Sequence, residues 1–308
     1  MLIIVNPYAT TVSDRLKNLV VYALQGRYEV EAVATEAQNH ATEIGREAVD
    51  GGYGIVVAFG GDGTLNEVVN GLAGTGIPVS VLPGGSTNVV ARSLGIPNDV
   101  VDATEHLLAC ADDFEPRPID LGIANGRRFV FSCGAGLDAT AASQVDSHPH
   151  MKHRFGPWYY TWAAVRGFYG DYLSDPVQMR ITTPLGDTEG VTAIAQNTDP
   201  FTYFRGRAIR ISKRIGIDDG TISLAVLHRA RQRDVPFIAR RALGKRHNVG
   251  DHRRVDVFDG LTEARIESAS RDADGGWRPF PVQLDGDPIG LHGELDLAVD
   301  PAAIRFVS

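Results

Sequence analysis

Residues 60–67, Gly60-Gly61-Asp62-Gly63-Thr64-Leu65-Asn66-Glu67, set three glycines around one carboxylate. The preceding run at 55–59, Ile-Val-Val-Ala-Phe, has no polar alternation, as a strand buried on both faces of a parallel sheet requires. Beyond the glycines, Leu65, Val68, Val69 and Leu72 recur at i, i+3, i+4 and i+7. Thr64 with Glu67 three residues later reads as a capping box and predicts a helix starting at Thr64. Glycines let the backbone turn tightly and come close to a ligand while the first helical amides point outward, which makes an anion site. Asp62 would repel a bare phosphate, so a cation belongs between them. Magnesium, held by one or two carboxylates plus phosphate oxygens, is the usual mediator. The stretch therefore points to a magnesium nucleotide, and it matches neither G-x-G-x-x-G nor G-x-x-x-x-G-K-[ST].

A second glycine turn, Pro83-Gly84-Gly85-Ser86-Thr87-Asn88, offers two hydroxyls and an amide as donors for phosphate or adenine. The elements that must position both turns alternate. Strand runs at 2–5, 28–34, 55–59 and 78–82 are interleaved with helical patterns at 16–26, 41–48 and 64–72, then one ending at Gly95 and one around 100–111. Such alternation implies a parallel sheet with right-handed crossovers and helices on both faces, with ligands at the carboxyl ends of the strands. Asn6, residues 60–64 and residues 83–88 all fall at such ends. From about residue 119 the pattern turns β-rich, beginning with a hairpin about Asn125-Gly126. Further strands are expected at 177–183, 190–197, 221–227, 254–258, 264–268 and 281–284, with turns at Leu185-Gly186, Asp219-Gly220, Asp259-Gly260 and Asp274-Gly275-Gly276. Helical inserts are expected at 157–172 and 235–243. The expected division is an α/β domain over 1–118, to which 291–308 return, and a β-rich domain over 119–290, with a cleft between them.

The 308 residues suffice for two cores, and 43% hydrophobic content is ordinary for a globular chain. A formal charge of −8 argues against wholesale nucleic-acid binding. Cys110 and Cys133 form no C-x-x-C and no metal spacing, so neither a disulfide framework nor a zinc site is expected. No run approaches a membrane span and the apolar start is too short for a signal peptide, so a cytoplasmic location is expected.

The pairing of Gly60-Gly61-Asp62-Gly63-Thr64-x-x-Glu67 with Pro83-x-Gly85-Ser86-Thr87-Asn88, after Asn6-Pro7, resembles the diacylglycerol kinase catalytic-domain family of lipid kinases. Gly134-Ala135-Gly136-Leu137-Asp138-Ala139, Asp218-Asp219-Gly220 and Asp285-Gly286-Asp287 follow in the family's order, so the resemblance covers nearly the whole chain. Sphingosine and ceramide kinases look like relatives, and NAD kinases and phosphofructokinases share the glycine-Asp-glycine element more distantly. The resemblance implies an α/β nucleotide domain like that of NAD kinase and phosphofructokinase, a C-terminal β-sandwich, and transfer of phosphate from ATP with Mg²⁺ to a lipid hydroxyl. It places Asn6, Gly60, Gly61, Asp62, Gly63, Thr64, Glu67, Gly85, Ser86, Thr87 and Asn88 around ATP, with Asp62 handling magnesium, and the Thr10 hydroxyl is a further candidate donor there. It places Asp138 facing the lipid hydroxyl, Asp287 as general base, and Asp219 as ligand of a structural metal with carbonyls near Gly216 and Thr221. An N-cap at Asp138 and a plain turn at Asp219 stay open as alternatives.

Two departures bear on the transfer. Tyr8-Ala9-Thr10-Thr11 stands where the family carries a basic residue after Asn-Pro, leaving Arg15 as a substitute cation, and Asp287 stands where Glu is usual. An aromatic run, Phe155, Trp158, Tyr159, Tyr160, Trp162, Phe168, Tyr169 and Tyr172, could be divided between core and a lipid groove. Between 228 and 254, nine Lys and Arg face only Asp234 and Asp251, which suits peripheral contact with an anionic membrane as well as a solvated surface. A soluble-substrate kinase of NAD or sphingoid-base type, a nucleotide-binding regulator without turnover, and a homodimer are left open by the sequence.

Overall fold

The computed structural model describes residues 1–110, 115–140 and 175–308, apart from 205, 213–214, 230–233, 235–236, 239, 242–243 and 245–247. The chain divides into two compact units, Met1–Leu121 with Pro301–Ser308, and Gly122–Asp300.

In the first unit, strands β1 (Leu2–Val5), β2 (Glu31–Ala34), β3 (Val56–Gly60) and β4 (Val79–Pro83) alternate with helices α1 (Asp14–Gln25), α2 (His40–Glu47), α3 (Asp62–Leu72), α4 (Val89–Ser93) and α5 (Val100–Ala109). The strands are parallel in the order β2-β1-β3-β4. β1, β3 and β4 are buried along their whole length, the reason their sequences carry no alternation, whereas β2 lies at the edge and is mostly exposed. The chain passes from β1 to β2 on one side and to β3 on the other. This switch point opens a crevice beyond the carboxyl ends of β1 and β3, at Asn6 and Gly60. The last residues of the chain extend the sheet: Phe306 pairs in parallel with Val79, and the Ser80 hydroxyl donates to the Val307 carbonyl at 2.8 Å.

The capping box at Thr64 is not formed. Helix α3 begins two residues earlier, with Gly61 as an N-cap that supplies no side-chain acceptor. Glu67 instead serves the neighbouring helix, accepting from the amides of Asn39 at 2.9 Å and Ala41 at 3.1 Å. Asn39, the N-cap of α2, is left-handed and makes no side-chain cap bond, so the carboxylate from α3 takes over that task. Its reach follows from the glycines at the helix crossing. A Cβ on Gly71 would lie 2.7 Å from the Thr42 carbonyl oxygen and 3.1 Å from Gly45 Cα, so any larger residue would force the helices apart.

In the second unit, the strands are β5 (Arg117–Ala124, entering from the first unit), β6 (Arg127–Phe129), β7 (Ser132–Gly136), β8 (Met179–Thr183), β9 (Gly186–Gly190), β10 (Thr192–Gln196), β11 (Thr202–Phe204), β12 (Arg207–Ile209), β13 (Ile222–Leu227), β14 (Val255–Leu261), β15 (Glu263–Ser268), β16 (Phe280–Leu284), β17 (Asp287–His292) and the first part of β18 (Glu294–Phe306). An antiparallel six-stranded sheet runs β14-β13-β10-β7-β16-β17, and β18, β15, β8 and β9 form a second antiparallel layer. Alternate residues of both layers, among them Cys133, Ala193, Leu224, Val282, Ile181, Ile266 and Leu295, share one buried core, which makes the unit a sandwich.

The hairpin about Asn125-Gly126 forms, with both turn residues at positive φ. Its second strand stops at Phe129 because the next three amides turn to the Asp285 carboxylate. Asp259-Gly260 is not a turn between strands. It lies inside β14 as a bulge, Gly260 having φ 78°, where the pairing shifts between Ile222 opposite Leu261 and Leu224 opposite Phe258. The helical insert at 157–172 and its aromatic run lie outside the described residues, as does much of the expected helix at 235–243.

Glu67→Ala is expected to destabilise the first unit by about 1–2 kcal/mol, since two amides at the start of α2 lose a charged acceptor. The midpoint of urea unfolding reads this directly, and an unchanged midpoint would show that the bridge contributes nothing.

Candidate active site

The two glycine turns of the first unit are packed back to back. The Gly84 amide donates to the Gly60 carbonyl at 2.7 Å, continuing the pairing of Gly60 with Pro83 past the end of the sheet. A Cβ on Gly85 would come 2.9 Å from Gly61 Cα, and one on Gly84 would come 3.1 Å from Gly60 Cα. The second turn therefore needs glycine where it meets the first, whose Gly60 and Gly61 supply the surface against which it packs. Thr11 extends the arrangement by donating its amide to the Gly84 carbonyl at 3.0 Å.

Several polar residues expected around a nucleotide brace these turns. The Asn6 side-chain amide donates to the Thr64 hydroxyl at 3.0 Å while its carbonyl oxygen accepts from the Tyr8 amide at 2.9 Å, tying the end of β1 to α3. Thr64 is buried and fits because Gly60 has no Cβ to meet it. Asn88, buried and left-handed, accepts from the Gly85 amide at 2.9 Å and donates to the Gly85 carbonyl and to Asn98. Glu67 is occupied with α2. Those that keep surface are Ser86 and Thr10, which are exposed, and Gly61, Gly63, Gly85 and Thr87, which are partly so. Arg15 is exposed in the first turn of α1, a helix capped by Ser13.

Asp62 crosses from one turn to the other. Its carboxylate accepts from the Val89 amide at 3.0 Å and the Val90 amide at 3.2 Å, at the start of α4. Burial pushes its pKa above the ordinary carboxylate range, and the two amide bonds act in the opposite direction. Each oxygen has a further lone pair. This donor set suits a magnesium ion that completes its shell with water and phosphate oxygens. No cluster of three His, Cys, Asp or Glu among the described residues could form an all-protein cage.

The second unit brings two of the expected carboxylates onto one linked assembly. Asp285 is buried and left-handed at the first position of the β16–β17 turn, its carboxylate accepting from Val130, Phe131 and Ser132 at 2.7–3.0 Å. This fixes the turn and places Asp287 at the start of β17. Asp138 follows β7 and accepts from the Gln283 side-chain amide at 2.7 Å. Gln283 in turn accepts from the Gly286 amide at 2.6 Å. Burial raises the Asp138 pKa to about 6, with the Gln283 bond pulling it down. No motif in the sequence marks Gln283. The available signal is its place between Val282 and Leu284, which puts it on the opposite face of β16 from the apolar core.

Asp219, Gly216 and Thr221 also come together, but as a closed turn. Asp219 accepts from the Gly216 amide at 2.8 Å, the Thr221 amide at 3.1 Å and the Thr221 hydroxyl at 2.9 Å. The groups that meet it are donors rather than carbonyl ligands, so the turn as formed does not fit a metal shell. In the basic segment, Arg231, Arg233, Lys245 and Arg246 lie outside the described residues. Arg253 and Arg254 pair with the buried Asp234, which neutralises part of the local excess, while Arg240 and Phe237 are exposed.

Residues 1–122, which carry both glycine turns and Asp62, match the family model of the diacylglycerol kinase catalytic domain. The match spans nearly the whole of the first unit and stops where the second begins. A diacylglycerol kinase of Bacillus subtilis (strain 168) is 40% identical over 115 residues, 36% of this chain and 37% of that protein. One of Staphylococcus haemolyticus (strain JCSC1435) is 28% identical over 227 residues, 72% of this chain and 65% of that protein. The match thus spans less than two thirds of the length of these relatives. A solved diacylglycerol kinase structure from Bacillus anthracis str. Sterne superposes with a TM-score of 0.70 at 20% identity, covering 99% of this chain and 95% of that one. A second structure from the same organism gives 0.76 at 21% identity, covering 99% and 96%. These likenesses show the fold, an α/β parallel-sheet unit followed by an antiparallel one.

Asp138 carries a stability consequence with a definite sign. Its folded pKa lies above the ordinary value of 3.8, so ionisation opposes folding. The penalty is absent below pH 4, grows between pH 4 and 6, and is complete above that. A separation of about two units corresponds to about 3 kcal/mol, which the residue's partial exposure brings to about 1–2 kcal/mol. Asp138→Asn is therefore expected to unfold at higher temperature than wild type at pH 7.5, with the difference vanishing near pH 4. Equal melting at both pH values would contradict the raised pKa.

Proposed function

We propose that the chain is an ATP- and Mg²⁺-dependent lipid kinase that phosphorylates the free hydroxyl of diacylglycerol or a related lipid. The observation that carries this reading is the pair of mutually packed glycine turns, joined by Asp62, at the carboxyl ends of β1, β3 and β4, within the stretch that matches the diacylglycerol kinase catalytic domain. Amides of Gly61, Gly63 and the first turn of α3, with the hydroxyls of Ser86, Thr87 and Thr10, would bind phosphate oxygens. Asp62 would hold the magnesium ion, which supplies charge neutralisation on the phosphates.

Transfer forms a bond between the lipid oxygen and the γ-phosphorus and breaks the bond to the β-phosphate oxygen, so ADP leaves and the hydroxyl proton needs an acceptor. Asp287 is proposed as that base, with Asp138 facing the hydroxyl. A positioned base contributes about 10²- to 10⁴-fold in rate. Peripheral contact with an anionic leaflet is part of the proposal, supported by the exposure of Phe237 and Arg240 in the basic segment. No helix among the described residues is long and apolar enough to cross a membrane.

Phosphorylation from radiolabelled ATP, tested against a panel of lipids in vesicles and micelles and against soluble acceptors, tests the reading. Label is expected in diacylglycerol, and label confined to NAD or other soluble acceptors would overturn it. Asp62→Ala is expected to abolish turnover, and a near-wild-type kcat would exclude its role. Asp287→Asn is expected to keep ATP affinity and lose kcat, whereas Asp287→Glu should keep substantial activity. Full kcat in the Asn variant at saturating lipid would move the base to Asp138 or Asp62.

A further inference from the structure

Gln283 occupies a position where its orientation is dictated. The Gly286 backbone amide can only donate, so the oxygen of the Gln283 side chain must face it, and the nitrogen is thereby turned to Asp138. The bridge spans two elements, the β16–β17 turn and the segment after β7. It is buried, Gln283 being 1% exposed. A second observation shows that the site is built for it. A Cβ on Gly134 of β7 would overlap the Asp138 carboxylate and lie 2.7 Å from the Gln283 nitrogen, although Gly134 has no positive φ to require glycine. The space that glycine leaves is the space this hydrogen bond fills.

We infer that Gln283 is a positioning residue that locks Asp138 to the turn carrying Asp287, so that the two carboxylates are presented at a fixed spacing. The inference rests on the lipid-kinase reading for what the carboxylates do, and on the geometry alone for the lock. Asp287 follows Gly286 directly, so its backbone is held by the same bond. Asp138 is given an obligatory donor on one oxygen, which favours its ionised form inside a site whose burial disfavours it. Among the described residues the other titratable groups gathered here are the Asp285 carboxylate, committed to three backbone amides, and the Cys133 thiol on the core face, kept protonated first by burial and then by the Asp285 and Asp138 carboxylates. Neither can replace the Gln283 donor.

Three variants test the lock. Gln283→Met keeps the volume and removes both bonds. It is expected to lower kcat on diacylglycerol about 10- to 100-fold, the scale of a displaced catalytic group, with the KM for ATP within about twofold of wild type. Gln283→Glu keeps the acceptor for Gly286 but sets a carboxyl against Asp138. Protonated, it can still donate; ionised, it repels. Its activity relative to wild type should therefore fall as the pH is raised, while Gln283→Met is impaired at every pH. Gly134→Ala should reproduce the kcat loss of Gln283→Met by forcing the Asp138 carboxylate and the Gln283 amide apart while both residues stay in the sequence.

Titration of the Asp138 carboxyl by carbon NMR in the purified protein separates this inference from the lipid-kinase reading. Loss of the donor should move its midpoint up by about one unit in Gln283→Met. If wild type phosphorylates no lipid, the functional reading fails, and the NMR titration still decides the lock. An unmoved Asp138 midpoint in folded Gln283→Met, or wild-type kcat in that variant, would overturn the inference. Should Gln283→Met not fold, Gln283→Glu decides: a pH-independent ratio to wild type would overturn it.

Discussion

The first unit depends on the contact between two glycine turns. Gly60-Gly61 and Gly84-Gly85 approach so closely that a methyl group on Gly84 or Gly85 would collide with backbone of the opposite turn. Close contact lets the Gly84 amide bond to the Gly60 carbonyl, and it puts Asp62 within reach of the first amides of α4. The site is thus one object with two sequence origins. The parallel sheet beneath it exists to deliver both turns to the same end, side by side, with the first of them beside the point where the strand order reverses.

Several polar residues in and beside the two turns are bonded within the protein itself. Asn6 holds Thr64, Asn88 closes its own loop, and Glu67 holds the next helix. Irregular backbone close to a ligand carries many amides and carbonyls with no sheet or helix partner, and buried side-chain amides and carboxylates are what satisfy them. The consequence is rigidity. A phosphate-binding surface made of backbone donors gains from being held in place before the ligand arrives, because little ordering remains to be done on binding.

The second unit solves a similar problem with carboxylates. Asp285 takes three amides and so fixes a left-handed turn, while the Gln283 bridge ties that turn to Asp138. The two aspartates of Asp285-Gly286-Asp287 thereby have different work. One is consumed by the backbone, and the other is delivered at the head of β17. The same division separates Asp219, closed on its own turn, from the carboxylates with a proposed part in chemistry.

The sequence by itself determined the alternation of strands and helices in the first unit, the β-rich texture of the second, and the two glycine turns. Each of these is local: burial on both faces imposes an unbroken apolar run, and a tight turn imposes glycine. It did not determine what the polar residues between them bind, because a carboxylate's partner is set by what the fold brings beside it. Thr64 and Glu67 have the spacing of a capping box, yet the helix crossing at Gly45 and Gly71 put two amides at the start of α2 within hydrogen-bond reach of Glu67. Asp259-Gly260 has the composition of a turn, yet pairing with β13 on either side kept the strand going through it as a bulge. Gln283 has no signature at all. Only the tertiary structure, by leaving room over Gly134 and aiming the Gly286 amide at it, gave that amide side chain a single orientation.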